Sequence, residues 1–437
     1  MSRSAHRGAL LHFLEDPGKS GEEAWEYFHD GALVVAEGHI AAAGSAASVL
    51  AAEPATTTLI EHKNALLMPG MIDTHIHYPQ MDIIGAHGEQ LLEWLEKYVF
   101  PTEALFADKA YAAGVAQRFL TELLRNGTTT ALVFGTVHPQ SVDAFFEAAE
   151  ALDMRMIAGK VMMDRNAPSY LSDTPESAYV DSKELIKRWH GRGRQRYAVT
   201  PRFAPTSSPE QLAMAGQLLR EHPDVYLHTH LSENLNEVAW VEALFPQLDH
   251  YLHSYDAAGL LGRRSVFAHC IHLSDAEWQR MGDTQSNVAF CPTSNLFLGS
   301  GLFPLERAER AGVAVGLGTD IGAGTSFSLL RTMDEAYKVQ QLQGYSLSPF
   351  KSFYMATLGG ARALDLDDRI GNFVPGKEAD FLVLDLAPTP LLASRLRSCA
   401  SLSETLFVLS TLADDRAVRE TWIMGDCRYQ RDHQVSL

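Results

Sequence analysis

Eight short apolar runs recur through the middle of the chain, at 66–72, 130–134, 156–161, 197–201, 225–230, 265–269, 287–291 and 313–318. Amphipathic stretches such as Lys109–Asn126, Pro209–His222 and Ser274–Met281 lie between them. A short apolar run without strict alternation suits a strand buried on both faces, and an amphipathic helix can cover each such strand. Eight units of this kind predict an α/β fold with a (β/α)8 TIM-type barrel over residues 68–370.

The two ends read differently. Two β-prone runs flank Glu37 and Gly38, a hairpin signal. Near the other end come Gly371, Pro375 and Gly376, then a strand over Asp380–Leu384. A second hairpin follows, with Thr421–Met424 and Cys427–Tyr429 on either side of Gly425 and Asp426. Neither end has enough strands to bury a face alone. Residues 1–67 and 371–437 are therefore expected to combine into one small β-sandwich domain beside the barrel.

The chain has 437 residues, 46% of them hydrophobic, which suffices for a large core. It carries 36 Lys and Arg against 54 Asp and Glu, a formal charge of −18. That balance argues against nucleic acid and against an anionic membrane surface. The four cysteines, Cys270, Cys291, Cys399 and Cys427, form no CxxC pair, so no disulfide framework or cysteine zinc site is expected. Met1–Leu14 is a weak candidate for a secretory leader, and no uncharged apolar run reaches membrane-spanning length. A cytoplasmic enzyme is the expectation.

Barrel enzymes keep their chemistry at the C-terminal ends of the strands, and polar residues gather there. The first strand ends in Asp73, His75 and His77, which alternation places on one face. The fifth ends in His228 and His230, followed by Glu233. The sixth ends in His269 and the eighth in Asp320. Each has an ordinary explanation alone: a hydrogen-bonded core histidine, or an aspartate capping a helix. Four strand ends carrying His, His with Glu, His and Asp together point to a metal-dependent hydrolase. Spacing does not choose between His228 and His230 as a ligand.

The segments PGMIDTHIH, HTHLSE, AHC and GTD, in that order, resemble the amidohydrolase superfamily. The resemblance implies metal ligation by His75, His77, His230 and Asp320, with His228 outside the ligand set. It implies that His269 contacts the attacking water or the substrate, and that Glu233 moves protons. Dinuclear members bridge their metals with a lysine at the end of strand four. Strand four here ends Val199, Thr200, Pro201, Arg202, Phe203, and Lys160 follows strand three, so one metal per chain is implied. Zn2+ suits three histidines, one aspartate and an open position, and Fe2+ could use the same donors. The PCxxC motif of another zinc deaminase class is absent, since Cys291 precedes Pro292.

Further segments resemble the guanine deaminase family: DTHIHYPQ, LLEWLEKYVFPTE, TPRF, HLSENLNEV, CPTSNLFLGSG and GTDIGAGTSFSLL. That resemblance implies purine contacts from Gln80, Arg202 and Phe203, with Leu92 and Trp94 walling the pocket. It implies hydrolysis of guanine to xanthine and ammonia, with Glu233, His269 and Asp320 as catalytic groups. The expected partners are guanine and water, without nucleic acid or membrane, and the expected assembly is a homodimer. The alternatives are deamination of 8-oxoguanine, a pterin or an aminotriazine, or a binding protein that has kept the fold and lost catalysis.

Overall fold

Glycine 70 marks where the chain passes from one sheet into another. A Cβ there would lie 2.1 Å from Oγ1 of Thr129, so no larger residue fits the crossing. Before it runs a long strand, Thr58–Pro69, and after it the first barrel strand, Met71–His77. The computed structural model describes residues 3–87 and 90–432. The apolar run at 66–72 is thus shared between two strands, and the barrel begins at Met71. The residues flanking Gly70, Ala65–Pro69 on one side and Met71 and Ile72 on the other, are apolar and buried, so hydropathy alone does not show the break.

The barrel strands that follow are Thr128–Phe134, Arg155–Gly159, Arg196–Pro201, Tyr226–Leu231, Ser265–His269, Asn287–Phe290 and Val315–Leu317. They pair in parallel in chain order. Bonds from Asp320 N to His75 O and from His77 N to Ile321 O tie the last strand end back to the first. Seven strands each give one residue to the barrel floor: Ile72, Leu132, Ile157, Ala198, Tyr226, Val266 and Ala289. Leu364, Leu366 and Ile370 pack against them from below, leaving the opposite, C-terminal end for a site. Several connecting helices start on side-chain caps, among them Asp108, Ser208 and Ser274.

The termini build one seven-stranded sheet. In spatial order its strands are Asp426–Gln430, Val418–Ile423, Phe381–Asp385, Thr58–Pro69, Arg3–Phe13, Trp25–Ala36 and His39–Ser45. All pairs are antiparallel except Arg3–Phe13 with Thr58–Pro69. The sheet curls, so the hairpin tip at Gly38 meets the tip at Met424. Leu10, Leu33, Leu67, Phe381 and Val383 fill its own small core. Residues 371–437 are less uniformly β than their turn signals suggest. They include two helices, Pro390–Arg397 and Leu402–Leu412, the second lying on barrel helix Leu329–Leu342. Residues 1–2 and 433–437, the outer ends of the two terminal segments, lie outside the described residues.

A buried ionic network couples the two parts. Arg155 Nε donates to Glu378 at 2.8 Å, Arg194 donates to the same carboxylate at 2.6 Å, and Arg194 also pairs with Asp380. Among the described residues, no helix is long and apolar enough to cross a membrane.

Candidate active site

Four donor atoms converge at the C-terminal end of the barrel. His75 Nε2 lies 3.1 Å from Asp320 Oδ1, and His77 Nε2 lies 3.2 Å from the same oxygen. The two ring nitrogens are 3.2 Å apart, and His77 Nε2 is 3.3 Å from His230 Nε2. A tetrahedron with metal–donor bonds of about 2.0–2.1 Å has edges of about 3.3–3.4 Å. The cluster therefore has the dimensions of a site that could hold one zinc-sized ion.

Tautomers support this. His230 Nδ1 lies 2.7 Å from the Arg202 carbonyl, which can only accept, so Nδ1 carries the proton and Nε2 offers a lone pair. His75 Nδ1 is 2.7 Å from His228 Nε2. With His75 Nε2 in the cluster, its Nδ1–H donates to His228, which orients the ring as an outer partner of a ligand. Burial pushes His77 down to about 3 and holds His75, His228 and His230 below the usual imidazole range, so all four rings are neutral at pH 7. Neutral imidazole is the ligating form.

Two other sets of side chains approach the cluster. Donor atoms of His75, His230 and His269 lie within 4.8 Å of one another, as do those of His75, Cys291 and Asp320. Cys291 Sγ faces the Ala289 carbonyl at 3.5 Å, and burial raises its thiol well above the usual range, which disfavours thiolate ligation. His269 belongs to a second group. Its Nε2 lies 3.4 Å from Glu233 Oε2 and 3.8 Å from Asp320 Oδ2, while Nδ1 is held by Asn295 Oδ1 at 2.8 Å. Burial, and then the charge of Asp320, push the Glu233 carboxyl up to about 8, with the Ser300 hydroxyl at 3.0 Å pulling the other way. Glu233 can therefore donate a proton near pH 7. His269 and Asp320 hold φ of 73° and 51°, a left-handed backbone uncommon outside glycine and found at functional sites.

A cavity opens on these groups and is lined by the cluster residues His77, His230 and Asp320 together with Glu233 and His269. Arg202 and Gln80 supply its polar wall, and Trp94 and Phe203 its aromatic one. Leu92 does not line it; Leu91 and Leu95 do. Helical geometry explains the correction. Positions 91, 94 and 95 share a face, and 92 is turned about 100° away from 91.

Lys160 sits at the end of the third barrel strand and is ion-paired with Asp173. Strand four, Arg196–Pro201, carries no lysine.

Several structural contributors have roles that the sequence does not announce, although Asp73 stands out there by position. Glu103 accepts from Arg202 Nη1 at 2.9 Å and from Gln80 at 3.2 Å. Asp73 binds the backbone of His75 and Thr319, joining first and last strand ends. Glu237 accepts the Glu233 N–H at 2.8 Å, fixing the turn that carries it. Glu237 sits three residues after Asn234, a capping-box spacing that could have marked it. Asn295 and Ser300 carry no such signal.

Residues 66–427 match the Amidohydrolase family. Guanine deaminase of Escherichia coli (strain K12) is 57% identical over 409 residues, covering 94% of this chain and 93% of that one. A solved structure of E. coli guanine deaminase superposes with a TM-score of 0.96 at 55% identity, covering 98% of this chain and all 100% of that one. A guanine deaminase from C. acetobutylicum, solved with guanine in its active site, superposes with a TM-score of 0.88 at 30% identity, over 98% of this chain and 100% of the other. With its ligand cluster, cavity and barrel in this arrangement, the chain belongs to the amidohydrolase family and, within it, to the guanine deaminases.

Proposed function

We propose that this chain hydrolyses guanine to xanthine and ammonia with one zinc ion held by His75, His77, His230 and Asp320. One observation carries the substrate half of this reading. Arg202 is 3% exposed and lines the cavity, yet Nε and Nη2 have no acceptor among the described residues. Donors that a mostly buried guanidinium leaves open on a cavity wall suit a ligand with acceptors at that point. Guanine offers O6 and N7 there. The guanine deaminase relatives support the same substrate.

When bound, the ion supplies Lewis acidity that brings the pKa of water toward neutrality. The chain's own groups supply the rest. Arg202 and Gln80 hold the ring edge, and Trp94 and Phe203 enclose its faces. Glu233, protonated, gives its proton to N3 and makes C2 electrophilic. Asp320 Oδ2, beside His269, accepts a proton from the attacking water. A proton returned to the exocyclic amine releases ammonia, so guanine and water leave as xanthine and ammonia. A cytoplasmic homodimer acting in purine breakdown is the setting this reading implies.

A substrate panel tests it. Guanine is expected to be deaminated about 10⁴-fold more efficiently than adenine, since a site built around a hydrogen bond can discriminate by that much. Adenine carries an amino group at position 6, which would face the Arg202 donors. Comparable kcat/KM on adenine, a pterin or an aminotriazine would contradict the assignment.

A further inference from the structure

We infer that Glu103 is a positioning residue that sets how the cavity reads a purine, acting through Arg202 and Gln80. The inference rests on the guanine reading above. Glu103 is fully buried and does not line the cavity, so it touches no ligand. It lies near the end of a continuous helical path made of Leu91–Trp94, a π-helical turn at Leu95–Val99, Phe100–Glu103 and a 3-10 turn at Ala104–Ala107. The same segment gives the cavity Leu91, Trp94 and Leu95. Glu103 thus ties the apolar wall to the polar one.

Its carboxylate does two things. Both oxygens accept from Arg202 Nη1, at 3.1 and 2.9 Å, which uses that nitrogen and leaves Nε and Nη2 for the cavity. The Phe100 ring lies 5.6 Å from the guanidinium carbon and restricts it further. Oε1 also accepts from Gln80 Nε2 at 3.2 Å, while the Gly322 N–H donates to Gln80 Oε1 at 3.3 Å. An acceptor at one end of an amide and a donor at the other leave it one orientation. Gln80 and Arg202 are therefore fixed relative to each other before any base arrives.

Charge gives the arrangement a second consequence. The Arg202–Glu103 pair is neutral overall, so its donors reach the cavity without adding a net cation to the charge the metal supplies. Replacing an amino group by a carbonyl makes the purine a stronger N–H acid, so the product is more readily an anion than the substrate. A lone buried guanidinium would hold that anion tightly, and the neutral pair does not.

Glu103→Gln and Glu103→Asp, compared with the zinc-loaded wild-type chain, test this. The readouts are kcat and KM for guanine, inhibition by xanthine across its ionisation, metal content and thermal unfolding. For Glu103→Gln the expected result is a KM increase of about tenfold or more, the worth of one charge-assisted hydrogen bond, with a much smaller change in kcat. Xanthine should then inhibit more strongly as pH rises through its ionisation, a trend weak or absent in wild type. Glu103→Asp keeps the charge but withdraws the oxygens. It should raise KM without the new pH trend, and it decides the matter if Glu103→Gln does not fold. Wild-type KM in both variants, or equal losses in both with no change in xanthine inhibition, would overturn the inference alone. A wild-type chain unable to deaminate guanine would overturn the functional reading and this inference with it.

Discussion

Arg202→Ala is expected to lower kcat/KM for guanine by about 10²–10⁴-fold and to leave metal content at the wild-type level. Two hydrogen bonds from a charged, buried donor are removed, each worth about 1.5–3 kcal/mol. The loss is large because the alternative partner is absent: nothing else in the described residues bonds Nε or Nη2. The substitution also strips Glu103 of its cation, and an uncompensated buried charge is destabilising by itself. The chain lacking both side chains, Arg202→Ala with Glu103→Ala, separates the two effects. If lost recognition dominates, the double variant recovers stability but not guanine efficiency. Near-normal turnover by Arg202→Ala would remove the main physical support for a guanine pocket.

Glu233→Gln should lower kcat by about 10²–10⁴-fold, the usual worth of a general acid–base group, with metal and fold retained. Glu233 is outside the four-donor cluster, and an amide of the same size can keep the Ser300 hydroxyl at its 3.0 Å station. Only the ability to give and take a proton is lost. Wild-type kcat in a metal-replete Glu233→Gln chain would place the proton transfer elsewhere.

The histidines and Asp320 were legible in the sequence because a barrel brings strand ends together whatever lies between them. Strand alternation put His75 beside His77, and eight apolar runs gave the strand count. Choosing His230 over His228 needed the family resemblance, since both lie on one strand face. The geometry is in keeping with that choice: His228 Nε2 lies 2.7 Å from His75 Nδ1, whereas His230 has its Nδ1 on a carbonyl and its Nε2 3.3 Å from His77 Nε2 in the cluster. Glu103 was hidden because it is brought to the site by a helical segment with a π turn, and no periodic pattern announces that path. Leu92 was misplaced for a related reason. A segment name gives the helix, not the rotation of its faces. The start of the barrel was blurred because two buried strands meet at Gly70 with no polar residue between them.

Metal dependence and base specificity meet in one measurement. The chain is stripped of metal with a chelator, titrated with zinc, and assayed for xanthine and ammonia from guanine at each step. Turnover should be absent without metal, then rise linearly and level off at one zinc per chain, with xanthine and ammonia formed in equal amounts. Full activity in the stripped chain, a plateau only at two zinc ions per chain, or no xanthine at any loading would contradict this.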